Sequence, residues 1–216
     1  MESDGAIESF ISRNIPWEKL EKTQQELIQQ VQVHSQKRFL LLSEPHPTFT
    51  FGRNAQKKDL LWQPAQLRTR GLEVVSVSRG GKWTYHGPGQ VLIYPIGTLE
   101  GWGFSSKQVK PFVELFRKCM AEAILRLGLS VHSQDEPYGL YVQNKKITSF
   151  GLSFENGISS HGAALYVTPQ KEFSGIVPCG FQETQYTCLT DHLPEITWLD
   201  AANEVIDSFK KGFKLI

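Results

Sequence analysis

The sequence predicts one α/β domain over residues 1–216, built on a mostly antiparallel, mixed sheet with helices packed against it. Three observations predict it. Strand-length runs rich in β-branched and aromatic residues recur from Phe39 to Val167. Three longer stretches carry the three- and four-residue apolar spacing of helices. No internal repeat or low-complexity linker divides the chain.

Pro16 to about Val33 reads as the first helix, with Pro16 in its first turn. Leu20, Leu27, Ile28 and Val31 share a face, and Gln24 interrupts the stripe. Phe39–Ser43 is a buried strand; Thr48–Gly52 alternates as a half-buried one should after the Pro-His-Pro turn. Residues 54–71 are polar and basic, with room for a short helix. Leu72–Ser78 and Val91–Ile96 read as buried strands. The next helix starts between Ser106 and Lys110, repeats apolar residues from Val109 to Leu127, and meets a stop at Gly128. Cys119 borders its apolar face and reads as a packing residue. Tyr138–Val142, Lys146–Phe154 and Ser159–Val167 return to the strand period, with Asn144-Lys145 as a hairpin turn between the first two. A last helix runs from about Trp198 to Lys210, with Leu199, Ala202, Val205, Ile206 and Phe209 on one side.

The bulk composition excludes several classes. At 216 residues, 40% apolar and 21% charged, the chain resembles an ordinary soluble globular protein. No apolar run is long enough to span a membrane, and the acidic, polar start MESDGAIES is unlike a secretory signal or a basic transit peptide. Three cysteines suggest no disulfide framework, so a reducing, cytoplasmic setting is expected. A net charge of +1 argues against a nucleic-acid partner. Basic residues do gather between Arg53 and Lys82, either as a solvated face or to steer an acidic partner.

Two stretches carry chemistry. The segment Ser78–Pro95, SRGGKWTYHGPGQVLIYP, is too long and too rich in donors for a simple hairpin between its flanking strands. It is a polar surface loop or a place where backbone approaches a ligand. Val177-Pro178-Cys179-Gly180 presents a cysteine between a residue of fixed φ and one without a side chain, which suits nucleophilic attack on an acyl group. Cys188 and His192 follow at spacings that match no common zinc pattern, so no metal is expected. In Lys146-Ile147-Thr148-Ser149-Phe150-Gly151, alternation puts Lys146, Thr148 and Phe150 on one face and Ile147, Ser149 and Gly151 on the other.

Taken jointly, these residues resemble the octanoyltransferases, also called lipoyl(octanoyl) transferases. The match covers LLSEPHPTFTFGR, then RGG-x-x-TYHGPGQ, then Lys146-Ile147 with Gly151, then His161-Gly162-Ala163-Ala164, then Pro178-Cys179-Gly180, in that order from about Leu40 to Cys179. The resemblance implies the catalytic-domain fold of biotin and lipoate protein ligases. It implies transfer of an octanoyl group from octanoyl-acyl carrier protein to a lysine of lipoyl domains, those of 2-oxoacid dehydrogenase complexes and the glycine cleavage H protein. It assigns Cys179 as acyl-thioester nucleophile and Lys146 as the group that activates it. The acyl chain would lie against Arg79, Gly80, Gly81, Lys82, Trp83, Thr84, Tyr85 and His86, against Ser149, Phe150 and Gly151, and against Gly162, Ala163 and Ala164. Arg53 and His161 are additional candidates at the rim. The chain departs from the family at Val177, where Asn is common, and in the lack of basic residues from Asn156 to Ser160.

The chemistry agrees with that assignment. A free thiol with a pKa of about 8.5 is only a few per cent thiolate at neutral pH, and a nearby ammonium raises that fraction. A thioester donor is already activated, so neither ATP nor a metal is expected as cofactor, and Gly81-Lys82-Trp83-Thr84 is no phosphate loop. An ATP-dependent lipoate or biotin ligase, a transferase between two lipoyl domains, and a non-catalytic acyl-binding protein remain alternatives. A monomer is the default expectation.

Overall fold

Alternation across three adjacent strands sets the architecture. In β2 (Arg38–Pro45), Leu40 and Leu42 face one core while Phe39 and Leu41 face another. In β6 (Gln90–Thr98), Val91 and Ile93 oppose Leu92, Tyr94 and Ile96; in β10 (Ile158–Tyr166), Ala163 and Leu165 oppose Ala164 and Tyr166. Apolar side chains on both faces demand cover on both faces. The computed structural model describes residues 6–79, 81–177 and 185–214.

The strands form a seven-stranded sheet of order β1-β2-β6-β10-β9-β8-β7 and a three-stranded sheet of order β4-β3-β5. The remaining strands are β1 (Ile7–Ile15), β3 (Thr48–Phe51), β4 (Glu73–Ser76), β5 (Trp83–His86), β7 (His132–Asp135), β8 (Tyr138–Val142) and β9 (Lys145–Glu155). Among the described strands, β1–β2 and β3–β4 pair in parallel and the other ladders are antiparallel. The expected α/β class with a mostly antiparallel, mixed sheet is what the chain adopts.

Helices α3 (Val109–Arg126) and α4 (Trp198–Gly212) cover one face of the large sheet, with Phe112, Phe116, Phe209 and Phe213 packed ring on ring. Gly128 ends α3 at φ +99, a conformation side chains resist. Helix α1 (Trp17–Val33) and the small sheet cover the other face, burying Leu20, Leu27, Val31, Phe49 and Tyr85 against Phe39, Leu41 and Tyr94. Short helical pieces, Lys57–Asp59 and α2 (Pro64–Thr69), fill the polar basic segment. No helix among the described residues is long and apolar enough to cross a membrane.

Several sequence expectations shift. Pro16 is the N-cap of α1, at φ −58 and ψ 148, rather than a helical residue. The strand expected to be buried at Leu72–Ser78 shrinks to β4, where Glu73, Val74 and Ser76 are exposed because it is the outer strand of the small sheet. The glycine-rich segment contains a strand of its own, β5, and leads from the small sheet into the large one. The β8–β9 turn is Gln143-Asn144, with Gln143 at φ +52. Leu199 is 48% exposed, and Trp198, Ala201 and Ser208 join the buried face of α4 instead. Strands β1 and β7 carry no clear alternation and were not expected.

Candidate active site

Between the cavity-side strands of the large sheet, the start of α1 and the small sheet lies a cavity open to solvent. The space inside it, counted out through the open mouth and including solvent there, is about 620 Å³. Arg79, Thr84 and His86 line it from the glycine-rich segment; Ser149, Phe150 and Gly151 from β9; His161, Gly162, Ala163 and Ala164 from β10. These candidates, spread over more than eighty positions, are thus brought to one place. Others are not. Trp83 is buried and donates its indole N–H to the Gln56 carbonyl at 2.8 Å, and Tyr85 packs against Phe49 and Phe173. Gly81 and Lys82 are exposed; Arg53 is exposed too, and its backbone N–H meets the Arg79 carbonyl at 3.4 Å. Gly80 and Cys179 lie outside the described residues.

Trp17, Val77, Leu92, Tyr94 and Tyr186 also line the cavity and were missed. Val77, Leu92 and Tyr94 sit in apolar runs whose residue types read as core, Trp17 and Tyr186 are single aromatics among polar neighbours, and nothing in their spacing marks a ligand. Trp17 is 4% exposed, stacks on His86 with 5.4 Å between ring centroids, and has no partner for its indole N–H.

Arg79 supplies the fixed positive charge. Its Nη2 donates to the Thr50 hydroxyl at 2.9 Å and to the Thr50 carbonyl at 3.3 Å, which holds the guanidinium beside the cavity. The imidazoles near it are neutral. Burial, then the Arg79 charge, lowers His86 to about 3 and His161 to about 4. Gln90 Nε2 donates to the Tyr85 carbonyl and to Gln170 Oε1, so its Oε1 accepts from His86 Nδ1–H at 3.1 Å. That leaves His86 Nε2 as an acceptor. Burial also raises the Tyr94 hydroxyl above its ordinary value. Ser149 and Tyr166 share a hydrogen bond of 2.7 Å behind the β9 wall.

Two breaks in strand alternation turn side chains onto this face. His161 has φ +53 in the middle of β10. Ser159 and Ala163 on either side of it face the helical layer, yet His161 packs edge-on to Tyr94 and lies 3.5 Å from the Ser78 hydroxyl. Its backbone N–H is taken up by Gln24 Oε1 at 2.8 Å. The residue that interrupts the α1 stripe is therefore the partner of a left-handed strand residue.

The second break corrects the alternation expected around Lys146. Leu140 pairs with Thr148 but Tyr141 pairs with Lys146, so Ile147 is the extra residue of a β-bulge. Ile147, Thr148 and Phe150 lie towards α3, while Lys146 moves to the face that carries Ser149 and Gly151. Lys146 is 7% exposed and its Nζ donates to the Tyr138 carbonyl at 3.0 Å. It does not line the cavity. Its backbone bridges to Tyr186, and Thr187 N–H meets its carbonyl at 3.0 Å. On the other side of 178–184, Val177 N–H is held by the Asp59 carbonyl at 2.8 Å.

Cys119 is buried among the α3 and α4 side chains, and burial pushes its thiol up to about 12, as expected of a packing residue. Cys188 is buried and shifted upward as well. Among the described residues no group of His, Cys, Asp and Glu side chains is arranged to hold a metal ion.

The fold is that of the lipoate-protein ligase catalytic domain. The chain superposes on lipoate-protein ligase A bound with ATP with a TM-score of 0.76 over 98% of this chain and 86% of that one, at 13% identity. A model of the lipoyl protein ligase A/B catalytic domain matches residues 18–210, and the chain belongs to that family. It is 31% identical over 191 residues to octanoyltransferase LIP2, mitochondrial, of Arabidopsis thaliana, spanning 88% of this chain and 80% of that protein. It is 35% identical over 178 residues to an octanoyltransferase of Caldicellulosiruptor bescii, spanning 81% and 77%. With such relatives the chain is an enzyme, a transferase.

Proposed function

We propose that this enzyme transfers an octanoyl group from octanoyl-acyl carrier protein to the lysine of a lipoyl domain, through a thioester on Cys179. The observation that carries the reading is the cavity itself. Its lining gathers Arg79, Thr84 and His86 with Ser149, Phe150 and Gly151 and with Gly162, Ala163 and Ala164, drawn from the three stretches that the octanoyltransferase resemblance assigns to the acyl chain.

In the first half-reaction the Cys179 thiolate attacks the thioester carbonyl carbon of the donor. The carbon–sulfur bond to the pantetheine arm breaks, and the Lys146 ammonium protonates the departing thiolate. Lys146 is then a neutral amine. In the second, the acceptor lysine attacks the Cys179 thioester as a free amine, its excess proton passes to Lys146, and the Cys179 thiolate leaves. The cycle ends with the starting charges and consumes no nucleotide. Backbone N–H groups of the glycine-rich segment would stabilise the tetrahedral oxyanion, and Arg79 brings a cation to the cavity lining.

The test mixes the purified enzyme with octanoyl-carrier protein and a lipoyl domain without nucleotide. The lipoyl domain gains one octanoyl mass, and the enzyme alone with donor shows an acyl adduct that Cys179→Ala abolishes. Product formed only with ATP would make the chain a ligase; an unmodified enzyme and no product would make it a binder.

A further inference from the structure

The place of Lys146 is set by backbone features of β8 and β9. The bulge at Ile147 turns the lysine to the cavity-side face. Gly139 then gives its side chain somewhere to lie. A Cβ at Gly139 would stand 2.7 Å from Lys146 Cε, 2.9 Å from the Thr148 carbonyl oxygen and 3.2 Å from Tyr141 Cε2. The lysine stem thus crosses a bare Cα. Beyond it, Nζ meets the Tyr138 carbonyl and lies 5.5 Å from the centroid of the Tyr141 ring, within the distance at which a cation is attracted to a π-face. That ring is itself fixed, since its hydroxyl donates to the Pro137 carbonyl at 2.8 Å.

We infer that Gly139 and Tyr141 are positioning residues, forming a trough that holds the Lys146 ammonium in the attitude its proton transfers require. The inference rests on the proposed role of Lys146 towards Cys179. Neither residue lines the cavity. Gly139 acts by leaving space, and Tyr141 by walling one side and offering its ring to the charge. Among the described residues, titratable groups near Lys146 include Tyr138 and Tyr141 on β8 and Tyr186 on the bridging segment, with His132 on β7 behind Tyr141 at 6.0 Å between ring centroids. Asp135 on β7 is engaged by Arg117 of α3.

The readout is the pH dependence of Cys179 alkylation by iodoacetamide, followed at the Cys179 peptide by mass, together with kcat and KM for the octanoyl-carrier donor. Lys146→Ala should raise the alkylation midpoint and lower kcat by about 10²-fold or more. Gly139→Ala should move the midpoint in the same direction and lower kcat by about 10²-fold, as a displaced catalytic group does, with donor KM nearly unchanged. Tyr141→Leu should follow with a smaller shift. A folded Gly139→Ala protein with the wild-type midpoint and kcat overturns the trough while leaving the role of Lys146 intact. An unmoved midpoint in Lys146→Ala removes that role, and the trough with it. Should Gly139→Ala fail to fold, Tyr141→Leu decides by the same midpoint, since it leaves the Gly139 backbone as it is.

Discussion

The two faces of the large sheet are built to different ends. Towards α3 and α4 the layer is dry and aromatic: Phe112, Phe116, Phe209 and Phe213 meet ring to ring, and alternation along β2, β6 and β10 supplies the aliphatic floor. Towards α1 and the small sheet, neutral imidazoles, a held guanidinium, an unpartnered indole N–H and a left-handed strand residue border an open cavity. One face spends its residues on packing. The other keeps polar groups buried or half-buried where a ligand can meet them, at a cost in stability that the first face offsets. Stability and chemistry are therefore separable by mutation.

The largest break in that comparison comes from the helical face. Phe209→Ala should destabilise the fold by about 3–5 kcal/mol, read by chemical denaturation, while the folded fraction keeps its activity per molecule. A loss of activity without loss of stability would mean the two layers are not independent.

Acid should expose the opposite face. His86 and His161 are buried neutral, with values lowered to about 3 and about 4, whereas an unfolded histidine takes its proton near 6.5. Their stabilising contribution is complete above about pH 6.5 and is lost as pH falls from there towards those lowered values, because only the unfolded chain binds the proton in that window. His161→Asn keeps a residue tolerant of φ +53 but does not titrate. Unfolding midpoints between pH 7 and pH 4.5 should fall less steeply in this variant than in the wild type; equal slopes would refute the neutral burial of His161.

A smaller effect sharpens the same contrast. Gln24→Leu completes the apolar stripe of α1, which by composition alone should stabilise it. Because Gln24 Oε1 is the partner of the His161 N–H, the variant should instead lose about 1–3 kcal/mol, with faster hydrogen exchange at the His161 amide. At the bottom of the scale, Leu199→Gln changes a residue of α4 that faces water and should stay within about 0.5 kcal/mol of wild type.

Periodic elements were legible from the residues. The α1 and α3 boundaries, strands β2, β6, β8 and β10, and the hairpin before β9 follow from spacing and turn chemistry. The segments that supply much of the cavity wall were marked instead by the resemblance to the octanoyltransferases, since their periodicity reads only as strand and loop. What escaped has physical reasons. The strands β1 and β7 lie at the two edges of the sheet, where one side of the ladder is free and side-chain pattern is weakly constrained. Strand β5 hides between glycines. Trp17, Leu92 and Tyr94 look like core because each is mostly core, with one edge on the cavity. The facing of Lys146 and His161 depends on a bulge and a positive φ, and strict alternation assigns both to the wrong side.

The ladder between β8 and β9 counts one more residue on one strand than on the other. With Ile147 present, an even ladder would turn Lys146 to the face of Thr148, and the bulge is what keeps it opposite Tyr141. Deleting Ile147 would keep the same pairing by another route, shortening β9 instead of bulging it. Scanning by substitution alone would pass over that kind of variation.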